Sequence, residues 1–157
     1  MKKFVAILLT LMLVLGIGAA VATEAEVTPT TDTDLTDHGT VTIKKVYKLV
    51  GAGTSPAETF TLEQVGVGRV TDGDATSAPA LGTITGAAFN EGAATADGTT
   101  IGNITVALPE YTNVGVYEYT LQEVAGNTAG VAYYGKTIKL VVTVVNGTDG
   151  NIRVAAV

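Results

Sequence analysis

The feature that most constrains this chain is a period-two alternation of apolar and polar residues, which recurs in seven segments after residue 39. Successive side chains of a β-strand point to opposite faces, so this alternation is typical of strands with one face buried and the other exposed. The segments are rich in Thr, Val, Ile and Tyr, which are residues that favour strands. They span residues 40–50, 59–65, 80–89, 100–108, 116–124, 137–145 and 151–157.

Stretches rich in glycine, asparagine and aspartate separate these segments and predict the turns that short antiparallel strands need. Examples are Gly51–Gly53, Asp72–Asp74 and Asn146–Gly150. No stretch after residue 22 shows a sustained helical period. The sequence therefore predicts an all-β fold, namely an immunoglobulin-like β-sandwich of about seven strands, with a β-barrel as the alternative.

The first 22 residues differ from the rest and are typical of a secretory signal peptide. Two lysines precede an apolar run, and small residues then lead to an Ala-x-Ala motif that ends at Ala22. We expect cleavage between Ala22 and Thr23. A retained membrane anchor is the less favoured alternative, because the apolar run is short for a bilayer span.

Residues 23–39 are rich in Thr, Asp and Glu and predict a flexible, solvated linker ahead of one domain at residues 40–157. The signal peptide has two lysines and no acidic residue, so its removal takes the net charge from −6 to −8. An acidic domain of this kind argues against nucleic acid or an anionic membrane as a partner. Because the chain has no cysteine, packing, a metal, oligomerisation or another covalent link must hold the exported domain together.

Two charged residues break the alternation, because each falls on the inward face of its predicted strand. Lys45 shares its face with Ile43, and Glu123 shares its face with Tyr119 and Leu121. An unpaired charge is normally excluded from a core. Two ordinary explanations are that these side chains reach solvent at bulges or strand ends, or that they form a buried ion pair.

A third explanation is chemical. Burial lowers the pKa of a lysine and raises the pKa of a carboxylic acid, so a buried pair can exist as a neutral amine and a neutral acid. The neutral amine is a nucleophile, and the acid can polarise an amide carbonyl and shuttle protons. Beside an asparagine side chain, such a pair can form a Lys-Asn isopeptide bond with loss of ammonia.

The chain resembles the streptococcal-type pilin isopeptide-linkage domains, which are the Ig-like (CnaB-type) repeats of FctA-like Gram-positive major pilins. The resemblance runs over residues 40–157 and is most specific over residues 115–150. The Tyr-x-Leu-x-Glu motif of the family corresponds to Tyr119–Glu123. Its reactive lysine corresponds to Lys45, with Lys44 as the alternative.

The resemblance implies a secreted structural domain of a pilus or cell-wall stalk, in which Lys45 is the cross-link nucleophile and Glu123 is the acid that shuttles protons. It implies other pilin or surface-protein subunits as partners, with a host or surface ligand as a further possibility. Neither an enzyme that turns over nor a cofactor is implied. The alternative function is a non-covalent adhesin or ligand-binding Ig-like module, in which Lys45 and Glu123 form an ordinary buried ion pair.

The acceptor is where the chain departs from the family, whose acceptor asparagine lies on a final strand. Asn146 and Asn151 flank an Asn-Gly turn and are expected to be turn residues. Either the sequence is truncated, which we favour, or another subunit supplies the acceptor strand, or the bond does not form. The stretch LPEYTN at residues 108–113 lacks the glycine of an LPxTG sorting signal, so it does not predict wall attachment.

No metal site is predicted. His38 is the only histidine and lies in the linker, which argues against a multi-histidine metal site or a histidine-dependent hydrolase. Asp32, Asp34 and Asp37 lack the full spacing of a calcium loop, and Asp72 is expected to lie in a turn.

Overall fold

The computed structural model describes residues 20–21, 25–27, 39–147 and 150–157, the first two ranges by their backbone alone. Within these residues the chain forms thirteen strands and no helix, so the predicted all-β, immunoglobulin-like sandwich is confirmed. No helix of this part of the chain is therefore long and apolar enough to cross a membrane. The strands are β1 Ala20–Val21, β2 Ala25–Val27, β3 Thr40–Val46, β4 Glu58–Phe60, β5 Leu62–Gln64, β6 Arg69–Gly73, β7 Ile84–Thr85, β8 Ala87–Phe89, β9 Ile101–Ala107, β10 Gly115–Glu123, β11 Val131–Ala132, β12 Thr137–Asn146 and β13 Ile152–Ala156.

The first sheet has the strand order β2-β3-β9-β7, and all of its neighbours are antiparallel. Strands β3 and β9 pair along seven residues, from Thr40 opposite Ala107 to Val46 opposite Ile101. Burial alternates along β3 as the sequence pattern predicts, with the threonines exposed and Val41, Ile43 and Lys45 buried. This alternation directs one face of the sheet into the core.

The second sheet has the order β13-β12-β10, and β5 and β6 share the far edge of β10. Strands β10 and β12 pair along eight residues, from Gly115 opposite Val144 to Gln122 opposite Thr137. The inward side chains of β10 are fully buried at Tyr119 and Leu121. Burying a large apolar side chain contributes about 1.5–3 kcal/mol, so this row is a main source of stability in a chain without disulfides.

A short ribbon of β4 and β8 joins the two sheets. The segments 59–65 and 80–89 were each predicted as one strand, and each is divided in two. The first divides at Thr61, where the chain passes from β4 of the ribbon to β5 beside β10, and the Thr61 carbonyl accepts from the Val124 N–H. The second divides at Gly86, where an added Cβ would lie 2.6 Å from the Phe60 carbonyl oxygen. The alternation of apolar and polar residues does not show where the chain passes from one sheet to another, because the chain stays extended there.

Strand β6 was not predicted, and the expectation that Asp72 lies in a turn was wrong. Residues Arg69–Gly73 pair with β10, and Asp72 lies opposite Val116 beside a register shift. The reason is tertiary: β5 covers only the last three residues of β10, so the rest of that edge has free backbone groups that a polar segment can pair.

Two backbone segments precede the domain. Strand β1 runs parallel to β11, and β2 pairs with β3 so that Ala25 lies opposite Lys45. The stretch predicted as a flexible linker therefore contains a short strand at Ala25–Val27, which pairs an edge of β3 that would otherwise be open. The predicted cleavage residues, Ala22 and Thr23, lie outside the described residues.

Candidate functional site

Lys45 is buried in the core between the two sheets, with 3% of its surface exposed. Its inward direction follows from the alternation of β3, since Ile43 points the same way and is buried, as is Tyr47 just beyond the end of the strand. Across the sheet, Lys45 lies opposite Gly102 of β9. A Cβ at Gly102 would lie 2.6 Å from the ring of Phe89, so the glycine makes room for an aromatic wall beside the lysine.

Glu123 is the last residue of β10 and is 5% exposed. Its register position lies opposite Leu62 of β5, and the N–H of the next residue, Val124, donates to Thr61. The backbone at Glu123 is therefore held in the sheet even though it ends a strand. This pairing keeps the carboxylate on the inward face, where the sequence alternation had placed it.

The two residues meet between the sheets. Lys45 Nζ donates to Glu123 Oε2 over 2.5 Å, and 78 positions separate the two residues along the chain. A hydrogen bond between an ionised amine and a carboxylate is charge-assisted and stronger than a neutral one. The contact joins the first sheet to the second through side chains that are only 3–4% exposed.

Aromatic rings surround the amine. Nζ of Lys45 lies 4.2 Å from the centroid of the Phe60 ring, and Phe60 packs edge-on against Tyr47 with the centroids 5.1 Å apart. Phe89 completes the cluster at 5.3 Å from Tyr47. Burial lowers the pKa of Lys45, and this effect outweighs the opposing hydrogen bond and charge of Glu123. The site therefore favours the neutral amine more than water does.

The second oxygen of Glu123 also has a donor. The backbone N–H of Tyr134 donates to Glu123 Oε1 over 2.9 Å, so the two oxygens face different partners. Sequence reasoning missed this donor, because it lies in the connection between β11 and β12, where alternation says nothing about backbone direction. The carboxylate is thus oriented, with Oε2 toward the lysine.

The other candidate residues lie away from this contact. Lys44 is on the opposite face of β3, with Asn103 opposite it on β9. Asn146 ends β12 and lies opposite Ile152, and Asn151 precedes β13 and accepts from the Gly147 N–H. Both asparagines are exposed in the β12–β13 hairpin. The linker residues His38, Asp32, Asp34 and Asp37 lie outside the described residues.

The arrangement supplies two of the three groups that an isopeptide bond needs. A buried amine and a carboxyl group are in contact, and a third group, an amide or acid carbonyl, has to reach Nζ. Within residues 39–147 and 150–157, no asparagine or aspartate side chain is hydrogen-bonded to Lys45. The same residues contain no cluster of three histidine, cysteine or acidic side chains placed to hold a metal.

Comparison with known proteins identifies the family. The FctA family model, described as a Spy0128-like isopeptide containing domain, matches residues 41–157. This match confirms the resemblance drawn from Lys45 and the Tyr119–Glu123 motif. No curated protein and no solved structure matches the chain.

Proposed function

Because this chain belongs to the family of Spy0128-like isopeptide-containing domains, we propose that it is a secreted structural domain of a pilus or cell-wall stalk, stabilised by one self-catalysed Lys-Asn bond. Domains of this family are pilin-type surface domains, and they are structural rather than enzymatic. The proposed chemistry is accordingly a single event per molecule. Lys45 is the nucleophile and Glu123 is the acid that shuttles protons.

The observation that carries the proposal is the buried contact between Lys45 Nζ and Glu123 Oε2 at 2.5 Å. A buried ion pair contributes little net stability, since the loss of hydration offsets the attraction between the charges. A chain that keeps such a pair between two apolar sheets gains more from it if the pair does chemistry. The lowered pKa of Lys45, caused by burial, makes the nucleophilic form easier to reach.

The proposed step balances without any oxidant or cofactor. A proton moves from Lys45 Nζ to Glu123, and the neutral amine attacks the Cγ atom of an asparagine whose carbonyl is polarised by the protonated carboxyl group. The new Nζ–Cγ bond forms, the Cγ–Nδ2 bond breaks, and Glu123 passes protons to the leaving nitrogen. The products are the amide cross-link and one molecule of ammonia.

A covalent link at Lys45 would fix β3 to the segment that supplies the acceptor. In an extracellular chain without cysteine, this link would perform the task that disulfides perform elsewhere, which is to limit how far the chain can separate. Other pilin or surface-protein subunits are the proposed partners, and the cell surface is the proposed location.

The test is the mass of the protein recovered from cells that make it, followed by tryptic mapping. We expect a loss of about 17 Da, the mass of ammonia, and a branched peptide in which trypsin no longer cleaves after Lys45. The branch identifies the acceptor and tells whether it lies in the same subunit. Glu123→Ala and Lys45→Arg should abolish the branch, whereas the control Lys44→Arg should retain it. Full cleavage after Lys45 in the native protein would refute the cross-link.

A non-covalent adhesin or ligand-binding module is the second candidate. It is favoured by one observation, namely that both oxygens of the Glu123 carboxylate already have a donor, Oε2 from Lys45 Nζ and Oε1 from the Tyr134 N–H. In that case the pair is structural, and the native protein has its full mass. The mapping experiment separates the two candidates directly.

A further inference from the structure

We propose that Tyr133 and Glu58 are positioning residues for the cross-linking reaction: their hydrogen bond anchors the chain segment whose backbone N–H orients the Glu123 carboxyl group. The inference rests on the proposed function and extends it to residues outside the lysine and the glutamate. Neither residue contacts Lys45 through a hydrogen bond, so both would act through the Tyr134 N–H.

The anchor is a contact between the β11–β12 connection and the ribbon. The Tyr133 hydroxyl donates to Glu58 Oε2 over 2.5 Å. Its ring lies 5.7 Å from the Phe60 ring, which is the same ring that lies under the Lys45 amine. Tyr133 thus ties the connection to β4 at two points, one polar and one aromatic.

The backbone next to this anchor contacts the reactive carboxyl group. Tyr134 follows Tyr133 directly, and its N–H donates to Glu123 Oε1 at 2.9 Å. A carboxyl group with one oxygen held in this way presents the other oxygen in a defined direction, which here is toward Lys45 Nζ at 2.5 Å. If the connection moved, Oε1 would lose its donor and the carboxyl group could rotate away from the amine.

A glycine makes the anchor possible. A Cβ at Gly126 would be too close to the Tyr133 hydroxyl oxygen and would lie 2.8 Å from the Cζ atom of the same ring. Because the backbone at Gly126 does not have a positive φ, an alanine there would displace the ring without straining the backbone. Gly126→Ala therefore moves the Tyr133 ring without removing its hydroxyl group or the Glu58 carboxylate.

The main experiment follows cross-link formation in the full-length secreted protein by intact mass at fixed times after synthesis. We expect Tyr133→Phe to form the cross-link about tenfold more slowly than the native protein, since small displacements of a catalytic group cost factors of this order or more. Gly126→Ala should slow it in the same direction. The control is Tyr111→Phe, which removes the hydroxyl group of another half-buried tyrosine, one that contacts Tyr119 at 3.2 Å and has no hydrogen bond to Glu58. It should leave the rate unchanged.

Conservative replacement of the acceptor distinguishes positioning from general stability. Glu58→Gln keeps an oxygen that can accept from Tyr133 and should retain most of the rate, whereas Glu58→Leu should match Tyr133→Phe. A purely structural role would instead make the rates follow the melting temperatures of the variants. Rates in Tyr133→Phe and Glu58→Leu equal to the native rate would overturn the proposal.

A second readout does not depend on the cross-link. Hydrogen exchange at the Tyr134 amide, measured by NMR in a Lys45→Arg background that cannot react, should be about tenfold faster after Tyr133→Phe. If the native protein forms no cross-link but this exchange changes, the proposed function fails and the anchor stands. If the cross-link forms but neither the exchange nor the rate responds, the anchor fails and the proposed function stands.

Discussion

Glu118 and Glu123 lie on the same strand, five positions apart, and have opposite environments. The odd separation directs them to opposite faces of β10. Glu118 points outward and binds Arg69 and Lys139, whose side chains are 69% and 62% exposed. Glu123 points inward and binds Lys45, with both side chains at 3–4% exposure.

The difference teaches what burial adds to an ion pair. On the surface, Lys139 and then Arg69 lower the pKa of Glu118 by hydrogen bonding, but water and salt screen the pairs. In the core, screening is weak and hydration is lost, so the pair is costly to break and changes the ionisation of its lysine. The buried Lys45–Glu123 pair is thus suited to proton transfer. The outer cluster, which consists of Glu118, Arg69 and Lys139, is suited to solubility and local order.

The largest expected effect comes from removing one partner of the buried pair. Lys45→Met or Glu123→Leu leaves the other group buried without its partner, so each should lower the free energy of unfolding by about 3–5 kcal/mol, apart from any loss of the cross-link. The double variant removes both charges and should recover most of that loss. Because neither single variant nor the double variant can cross-link, urea denaturation of the three compares the ion pair alone. A double variant no more stable than the singles would contradict the buried-pair account.

A smaller effect is expected from the aromatic wall. Phe60→Leu should destabilise the domain by about 1–3 kcal/mol, and by more than Phe89→Leu, because Phe60 also holds the Lys45 amine over its ring. The matched control is the same pair of substitutions in a Lys45→Met background. There the two losses should become similar. If Phe60→Leu still destabilised the domain more than Phe89→Leu without the lysine, the lost side-chain volume alone would account for the difference.

A third glutamate, Glu58, is intermediate in exposure and gives a pH-dependent effect. Burial alone would raise its pKa, but hydrogen bonds from Thr128, Tyr133 and the Thr59 N–H lower the pKa below 4.5. As the pH falls, Glu58 in the unfolded state therefore binds its proton at a higher pH than Glu58 in the folded state. The stability that Glu58 adds is fully present above pH 4.5 and is lost as the pH falls through the lowered pKa. The difference in free energy of unfolding between native protein and Glu58→Gln should shrink from pH 6 to pH 3, within about 1 kcal/mol. A difference that stays constant with pH would show that this carboxylate is not stabilised by folding.

The smallest effect belongs to the outer cluster. Glu118→Ala should change the melting temperature only slightly, because solvent screens its pairs with Arg69 and Lys139. Raising the salt concentration should shrink even that change. Thr120→Ala, on the same outward face of β10, is the control for losing a polar side chain. If Glu118→Ala lowered the melting temperature strongly and independently of salt, the ion pairs on the outward and inward faces of β10 would not differ in the way described.

Alternation along the strands was enough to predict the fold class and to select the two residues that meet in the core. Parity alone directed Lys45 and Glu123 inward, because the period of a strand is two whatever the rest of the chain does. The family match then confirmed the resemblance that these residues had suggested. Their roles in a cross-link stay predictions, and the acceptor stays to be identified by peptide mapping.

Features that depend on tertiary pairing were not predictable in this way. Strand β6 is polar and forms because β10 has an unpaired edge, which no local pattern reveals. The Tyr134 N–H reaches Glu123 because a connection folds back over the ribbon, and the Tyr133–Glu58 bond spans 75 positions. Composition and spacing do not indicate where the chain folds back to contact a segment that is distant in sequence.

The ribbon of β4 and β8 has a consequence for how the domain comes apart. One ribbon strand continues through Thr61 into the second sheet, and the other continues from the first sheet through Gly86. Neither sheet can separate without pulling on the other, because the chain connects both sheets through the ribbon. Amide protons of β3 and β10 should therefore exchange through one shared opening event rather than two independent ones. Under a pulling force, such a domain would stay whole until it failed all at once.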